Sequence, residues 1–235
     1  MTDRHDLTVT LPWMREGTAL LLGVSDGLTD ADLSTPSTLP GWTRAHVIGH
    51  VARNAEALGR LAAWARTGVP TPMYADREQR AAEIESSAAL PPAVLRQDLT
   101  STAAGLENAL EALDPTTWRA EVKSALGRAI PAAEIPWMRV REVWLHAVDL
   151  AAGATFADLP AGLVDTLLDD VTGTLSTRPH CPAVRLAPTD REAGWRLGSA
   201  TAEAPTTAEA PAADLLAWVT GRGVPAAAVA LPSWL

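Results

Sequence analysis

Cysteine is almost missing from this 235-residue chain: the one present, Cys181, excludes an internal disulfide and any cysteine-rich zinc site. Basic clusters are missing too. Nineteen Lys and Arg against 28 Asp and Glu give a formal net charge of −9, which argues against nucleic acid as a partner, since phosphate binding needs gathered Lys and Arg. The longest apolar runs, such as 19–24, fall far short of the roughly 20 residues that span a bilayer. The charged start Met-Thr-Asp-Arg-His-Asp has no signal-peptide core. The expectation from these absences is a cytoplasmic protein. Tyrosine and phenylalanine occur once each, against nine tryptophans. Tryptophan wants burial plus a partner for its indole N–H, so most of the nine read as core or domain-contact residues.

What is present describes an ordinary globular protein, with 47% hydrophobic and 20% charged residues in a length that suits one large domain or two modest ones. Four stretches read as helices: 11–28, 43–66 with Thr43 as cap, 92–113 after the prolines at 91 and 92, and 136–152 with Gly153 as C-cap. Val94, Leu95, Leu99, Leu106, Leu110 and Leu113 form the expected buried stripe of the third. Four such helices suggest a bundle, a fold in which inward-facing side chains build metal sites. The connection 67–92 is long, with room for a short helix over 77–87. After Gly153 the pattern changes. A helix over 161–177 precedes period-two stretches at 183–187 and 194–198, a third candidate strand at 200–204, a short helix at 212–221 and a return to the sheet at 227–231. The Ala/Thr/Pro/Glu patch at 200–213 otherwise reads as a loop. The expected fold class is α+β: a bundle over 1–155, then a small α/β domain over 156–235.

Two helical faces carry chemistry. His46, His50 and Asn54 share one; Arg139, Glu142, His146 and Asp149 share the other, in Arg141-Glu-Val-Trp-Leu-His-Ala-Val-Asp149. Glu142 and His146, four apart, plus His50 would make a three-ligand site, and zinc held that way keeps a position open for chemistry. Spacing alone leaves rivals standing: His46 can pair with His50, Glu142 can pair with Arg139 or Arg141, and a lone histidine on an apolar face is usually a satisfied core residue. His5 and His180 are weak candidates in loops. Cys181, beside His180 and between prolines, reads as a loop thiol, because nothing orients or activates it.

A family resemblance narrows these choices. Pro40-Gly-Trp-Thr-Arg-Ala-His-Val-Ile-Gly-His-Val-Ala-Arg-Asn54 resembles the second-helix motif of DinB-like metal-binding four-helix bundles, in which the histidine matching His50 is the ligand. The segment 141–150 resembles the fourth-helix motif of the mycothiol-dependent maleylpyruvate isomerases, with Glu142 and His146 completing the site. Met73-Tyr-Ala-Asp-Arg-Glu-Gln-Arg80 and Trp218-Val-Thr-Gly-Arg222 extend the likeness over both domains. His46 has no ligand role in that pattern.

The resemblance implies a zinc ion, or another divalent metal, on His50, Glu142 and His146, and mycothiol as thiol cosubstrate. The implied reaction converts maleylpyruvate to fumarylpyruvate: a thiolate adds to the double bond, the bond rotates, and the thiol leaves. With one anionic ligand the zinc would carry a net charge of about +1, enough to favour thiolate at its open position. Arg222 matches the family's functional arginine and suits a carboxylate; its plain role is a helix-terminal arginine. Arg80 and Tyr74 are further candidates for substrate or thiol binding, and Asp149, one turn beyond His146, for supporting that ligand or binding the thiol; the plain role of Arg80 and Asp149 is a solvent-facing one. If Arg222 acts on a substrate at the metal, the two domains must pack around the site. The alternative is a mycothiol S-transferase that leaves the thiol on another electrophile. Partners are small molecules, without nucleic acid or membrane, and the state is a monomer or small homo-oligomer.

Overall fold

Arg44–Thr67 forms the longest helix, α2, and both of its ends are written into the sequence. The Thr43 hydroxyl accepts from the His46 N–H at 3.4 Å, and His46 Nδ1 accepts from the Thr43 N–H at 3.2 Å. Two orphan donors of the helix start are thereby satisfied reciprocally. Gly68, at φ 72°, closes the other end in the left-handed conformation. This computed structural model describes residues 3–199 and 206–234. The chain divides into two compact units, Asp3–Ala154 and Thr155–Leu235.

In the first unit α2 packs against α4 (Pro92–Glu111) and α5 (Ile135–Asp149), and α1 (Leu7–Asp26) packs against α5. The core is the apolar face of each: Val47, Ile48, Val51, Leu58 and Leu61 from α2, and Leu95, Leu99, Leu106 and Leu110 from α4. Each such side chain contributes about 1.5–3 kcal/mol on burial. Val94, expected in the α4 stripe, is 49% exposed. It lies one residue, and so about 100° of helix, from Leu95. Close approach of α1 to α5 depends on Gly17: a Cβ there would meet Trp144 Nε1 at 2.5 Å and Val143 Cγ2 at 2.6 Å.

The long connection after α2 does hold a helix, α3 (Arg77–Ala88), capped by the Asp76 carboxylate on the Gln79 N–H at 2.7 Å. It packs on α2 where Gly49 has no side chain; a Cβ would lie 2.7 Å from Ser87 Cβ. A two-stranded hairpin, β1 (Glu121–Lys123) and β2 (Ala129–Pro131), precedes α5 and buries the facing pair Val122 and Ile130. The sequence reading did not anticipate it, because three-residue strands are too short to show period-two alternation. α5 ends at Asp149 with Leu150 as its cap; Ala151, at φ 49°, takes the left-handed position before Gly153 is reached.

The second unit sets α6 (Ala161–Ser176) and α7 (Ala212–Val219) with a three-stranded sheet of order β4-β3-β5. β3 (Val184–Pro188) runs antiparallel to β4 (Trp195–Leu197) and parallel to β5 (Thr206–Ala210). Val184, Leu186, Leu197 and Ala208 are buried, while Arg185, Arg196 and Thr207 stand on the other face. β5 corrects the loop reading of 200–213, since a parallel partner confers strand structure that local composition does not signal. The candidate strand at 200–204 falls outside the described residues, and 227–231 is irregular rather than a return to the sheet. α7 ends in a Schellman turn: Gly221, at φ 77°, donates to Trp218 O at 2.9 Å and the Arg222 N–H to Ala217 O at 2.8 Å. Gly223 follows where a Cβ would lie 2.8 Å from Ala217 Cβ. Two glycines therefore pin the backbone of Arg222. Among the described residues, no helix is long and apolar enough to cross a membrane.

Candidate metal centre

α2 and α5 bring His50, Glu142 and His146 together. His50 Nε2 lies 2.9 Å from Glu142 Oε2, and His146 Nε2 lies 3.2 Å from the same oxygen. One donor atom from each of the three falls within 4.8 Å of the others. Ligands about 2.1 Å from a tetrahedral zinc sit roughly 3.4 Å apart, so this donor set fits a divalent cation with little movement. The two imidazoles stand edge to face, 4.8 Å between centroids.

Electrostatics support the same arrangement. Burial alone would raise the Glu142 carboxyl, but the charges and hydrogen bonds of His50 and His146 overcome it and hold the group well below the usual glutamate range. Burial pushes His50 down, with Glu142 opposing. His146 is pulled up despite burial, because Asp149 and Glu142 accept from it. The Asp149 carboxylate lies 2.8 Å from His146 Nδ1 and accepts from the Thr38 hydroxyl at 2.8 Å. With a cation bound in place of the Nε2 proton, that contact would keep the remaining ring proton on Nδ1 and turn the Nε2 lone pair to the metal, the arrangement metal-binding histidines use. Trp42 packs edge-on against His50, with 5.4 Å between centroids.

Arg80 approaches from α3, its Nη2 at 3.4 Å from His50 Nδ1. A guanidinium can only donate, so this contact needs the His50 proton on Nε2. With Nε2 committed to a cation the proton must move to Nδ1, and the Arg80 contact is lost. Tyr74 lies between two guanidinium groups, Arg60 at 5.8 Å and Arg80 at 5.9 Å from its ring centre. Arg60 also donates to Met73 O through Nε and Nη2, at 2.9 and 2.6 Å, which anchors the connection that carries Tyr74. Burial raises the Tyr74 hydroxyl above its ordinary range, so it stays protonated.

The rival pairings receive different partners. His46 caps α2 and reaches Glu85 at 3.3 Å. Arg139 bonds to α2 rather than to Glu142. His5 lies 3.1 Å from Glu134, and His180 occupies a left-handed turn at φ 60°. Arg222 belongs to the second unit, where its Nη1 donates to Thr220 O at 3.0 Å. The sequence reading missed Thr38. It is 111 residues from Asp149, and no spacing rule reaches that far.

The model of the mycothiol maleylpyruvate isomerase N-terminal domain matches residues 14–151, and that of the C-terminal domain of the same family matches 158–232. The chain belongs to the mycothiol maleylpyruvate isomerase family. A crystal structure of a mycothiol-dependent maleylpyruvate isomerase is similar at a TM-score of 0.89, with 37% identity over 95% of this chain and 93% of that one. A histidine-to-alanine variant of such an isomerase is similar at 0.88, with 36% identity over the same shares. No curated protein matches the chain. The α+β architecture is thus that of the isomerase family, and the three converging donors lie within the part matched by its N-terminal domain.

Proposed function

We propose that this protein is a mycothiol-dependent isomerase that converts maleylpyruvate to fumarylpyruvate. The observation that carries the reading is the gathering of donor atoms of His50, Glu142 and His146 within 4.8 Å of one another, in a chain similar at 36–37% identity to maleylpyruvate isomerases. In this reading those three residues hold zinc or another divalent cation. Bound there, the cation would favour thiolate over thiol in the cosubstrate.

The chain's own residues do the rest. Asp149 and Thr38 fix the tautomer and tilt of His146, and Trp42 packs against His50. Arg222 binds a carboxylate of the dianionic substrate and steadies the charge that develops when the thiolate adds to the alkene. Arg80 takes a second carboxylate or the thiol cosubstrate once released from His50, and Tyr74 holds its guanidinium against an aromatic face. Addition makes the former double bond single; rotation and departure of the thiol give the trans product. The enzyme is taken to act in the cytoplasm, as a monomer or small homo-oligomer.

The test is turnover of maleylpyruvate by purified protein, with and without mycothiol, alongside elemental analysis. Thiol-dependent isomerisation with close to one metal ion per chain supports the reading. Stable thiol conjugates of other electrophiles without isomerisation, or full activity in metal-free protein, would overturn it.

A further inference from the structure

Arg139 is 1% exposed, on α5 less than one turn before Glu142. Its Nη1 donates to Val51 O at 2.7 Å and to Asn54 Oδ1 at 2.9 Å, both on α2. Its Nη2 is buried and has no hydrogen-bond partner. Among the described residues no carboxylate pairs with it. Burial pushes the guanidinium down to about 10, with Glu142 and Tyr74 opposing, so the side chain is still a cation at neutral pH. A buried, unpaired charge is expensive and is seldom retained without a role. As a strut between α2 and α5, a neutral side chain would serve without that cost.

The role follows from the charges around it. Glu142 and Asp149 bring as much negative charge to the two histidines as a divalent cation brings positive. That suits holding the cation and weakens the attraction for an anion beside it. A positive charge that solvent does not screen, less than one turn from Glu142 on the same helix, acts the other way. We propose that Arg139 is a positioning residue whose buried charge makes the triad hold its cation less tightly and hold an anionic ligand, thiolate or carboxylate, more tightly. This rests on the metal reading above.

Two variants test it. Arg139→Met removes the charge and keeps the length. Asn54→Asp leaves Arg139 in place and supplies the carboxylate partner it lacks. Zinc affinity is read by competition with a chromophoric chelator, and anion affinity by titrating thiocyanate into cobalt-substituted protein and following its visible spectrum. Both variants should bind zinc about tenfold more tightly and thiocyanate about tenfold more weakly, a modest effect for one buried charge at an effective dielectric of about 20. Weaker zinc binding with unchanged thiocyanate affinity overturns the proposal and makes Arg139 a strut alone. If Arg139→Met does not fold, Asn54→Asp decides. Wild-type protein that takes up no zinc sinks the metal reading along with this one. Zinc in the wild type with both affinities unmoved in the variants sinks only this one.

Discussion

Asp149 is fully buried at the end of α5, with one carboxylate oxygen 2.8 Å from His146 Nδ1 and the other accepting from Thr38. The amide in Asp149→Asn has the same shape but no charge to favour Nδ1–H. It should cost about 10–100-fold in metal affinity, the usual range for a residue behind a metal-binding histidine, measured by chelator competition. His50→Ala and His146→Ala should leave no stoichiometric metal and no isomerisation, read by elemental analysis and assay. At this scale the sequence is legible where the helical period does the work. Glu142 and His146 fall four apart on one helix, and a periodicity argument finds them. What it cannot find is contact across helices: His50 to Glu142 spans 92 residues and Thr38 to Asp149 spans 111. The family motifs supplied the first of these, and nothing supplied the second. Arg139 was visible only as a rival ion-pair partner of Glu142, because a missing partner leaves no trace in a sequence.

The helices were legible for a different reason: their ends carry chemistry. Thr43 and Gly68 bound α2, Pro92 opens α4, and leucines at helical spacing mark the buried face. Strands made of three residues, or dependent on a distant partner, carry no such marks, which is why β1, β2 and β5 went unread. Packing between elements gives two expectations. Gly17→Ala places a methyl against Trp144 and Val143 and should destabilise the α1–α5 contact by about 1–3 kcal/mol in denaturant unfolding. Glu134, just before α5, is buried and pairs with Arg128 and His5. Burial alone would raise its carboxyl, but those partners outweigh burial and lower it. A lowered native value means stability present above the ordinary glutamate range and lost as pH falls through the native value. Glu134→Gln should therefore melt below the parent at pH 7, by about 1–3 kcal/mol for a buried pair left half-made. The difference in Tm should shrink as both proteins are taken to acid pH.

For the molecule as a whole, a cation bound only by the folded state must stabilise it by mass action. Free zinc at 100 times its Kd should add about 2.7 kcal/mol to unfolding, so Tm should climb with zinc concentration and fall back with a chelator. A Tm indifferent to zinc would mean that the triad does not bind it in the folded protein. The net charge of −9 repels anions at long range, so an anionic substrate would need positive charge close to where it binds to offset that field.

The bare backbone at Gly49 has a reach beyond its own helix. It lies next to His50 and lets α3 settle against α2 at Ser87, and α3 is what carries Arg80 to within 3.4 Å of the His50 ring. One missing methyl group thus sets how far an arginine stands from a histidine thirty residues earlier. Restoring that methyl, as in Gly49→Ala, would press α3 away from α2 and draw Arg80 back from His50 while leaving every proposed ligand in place.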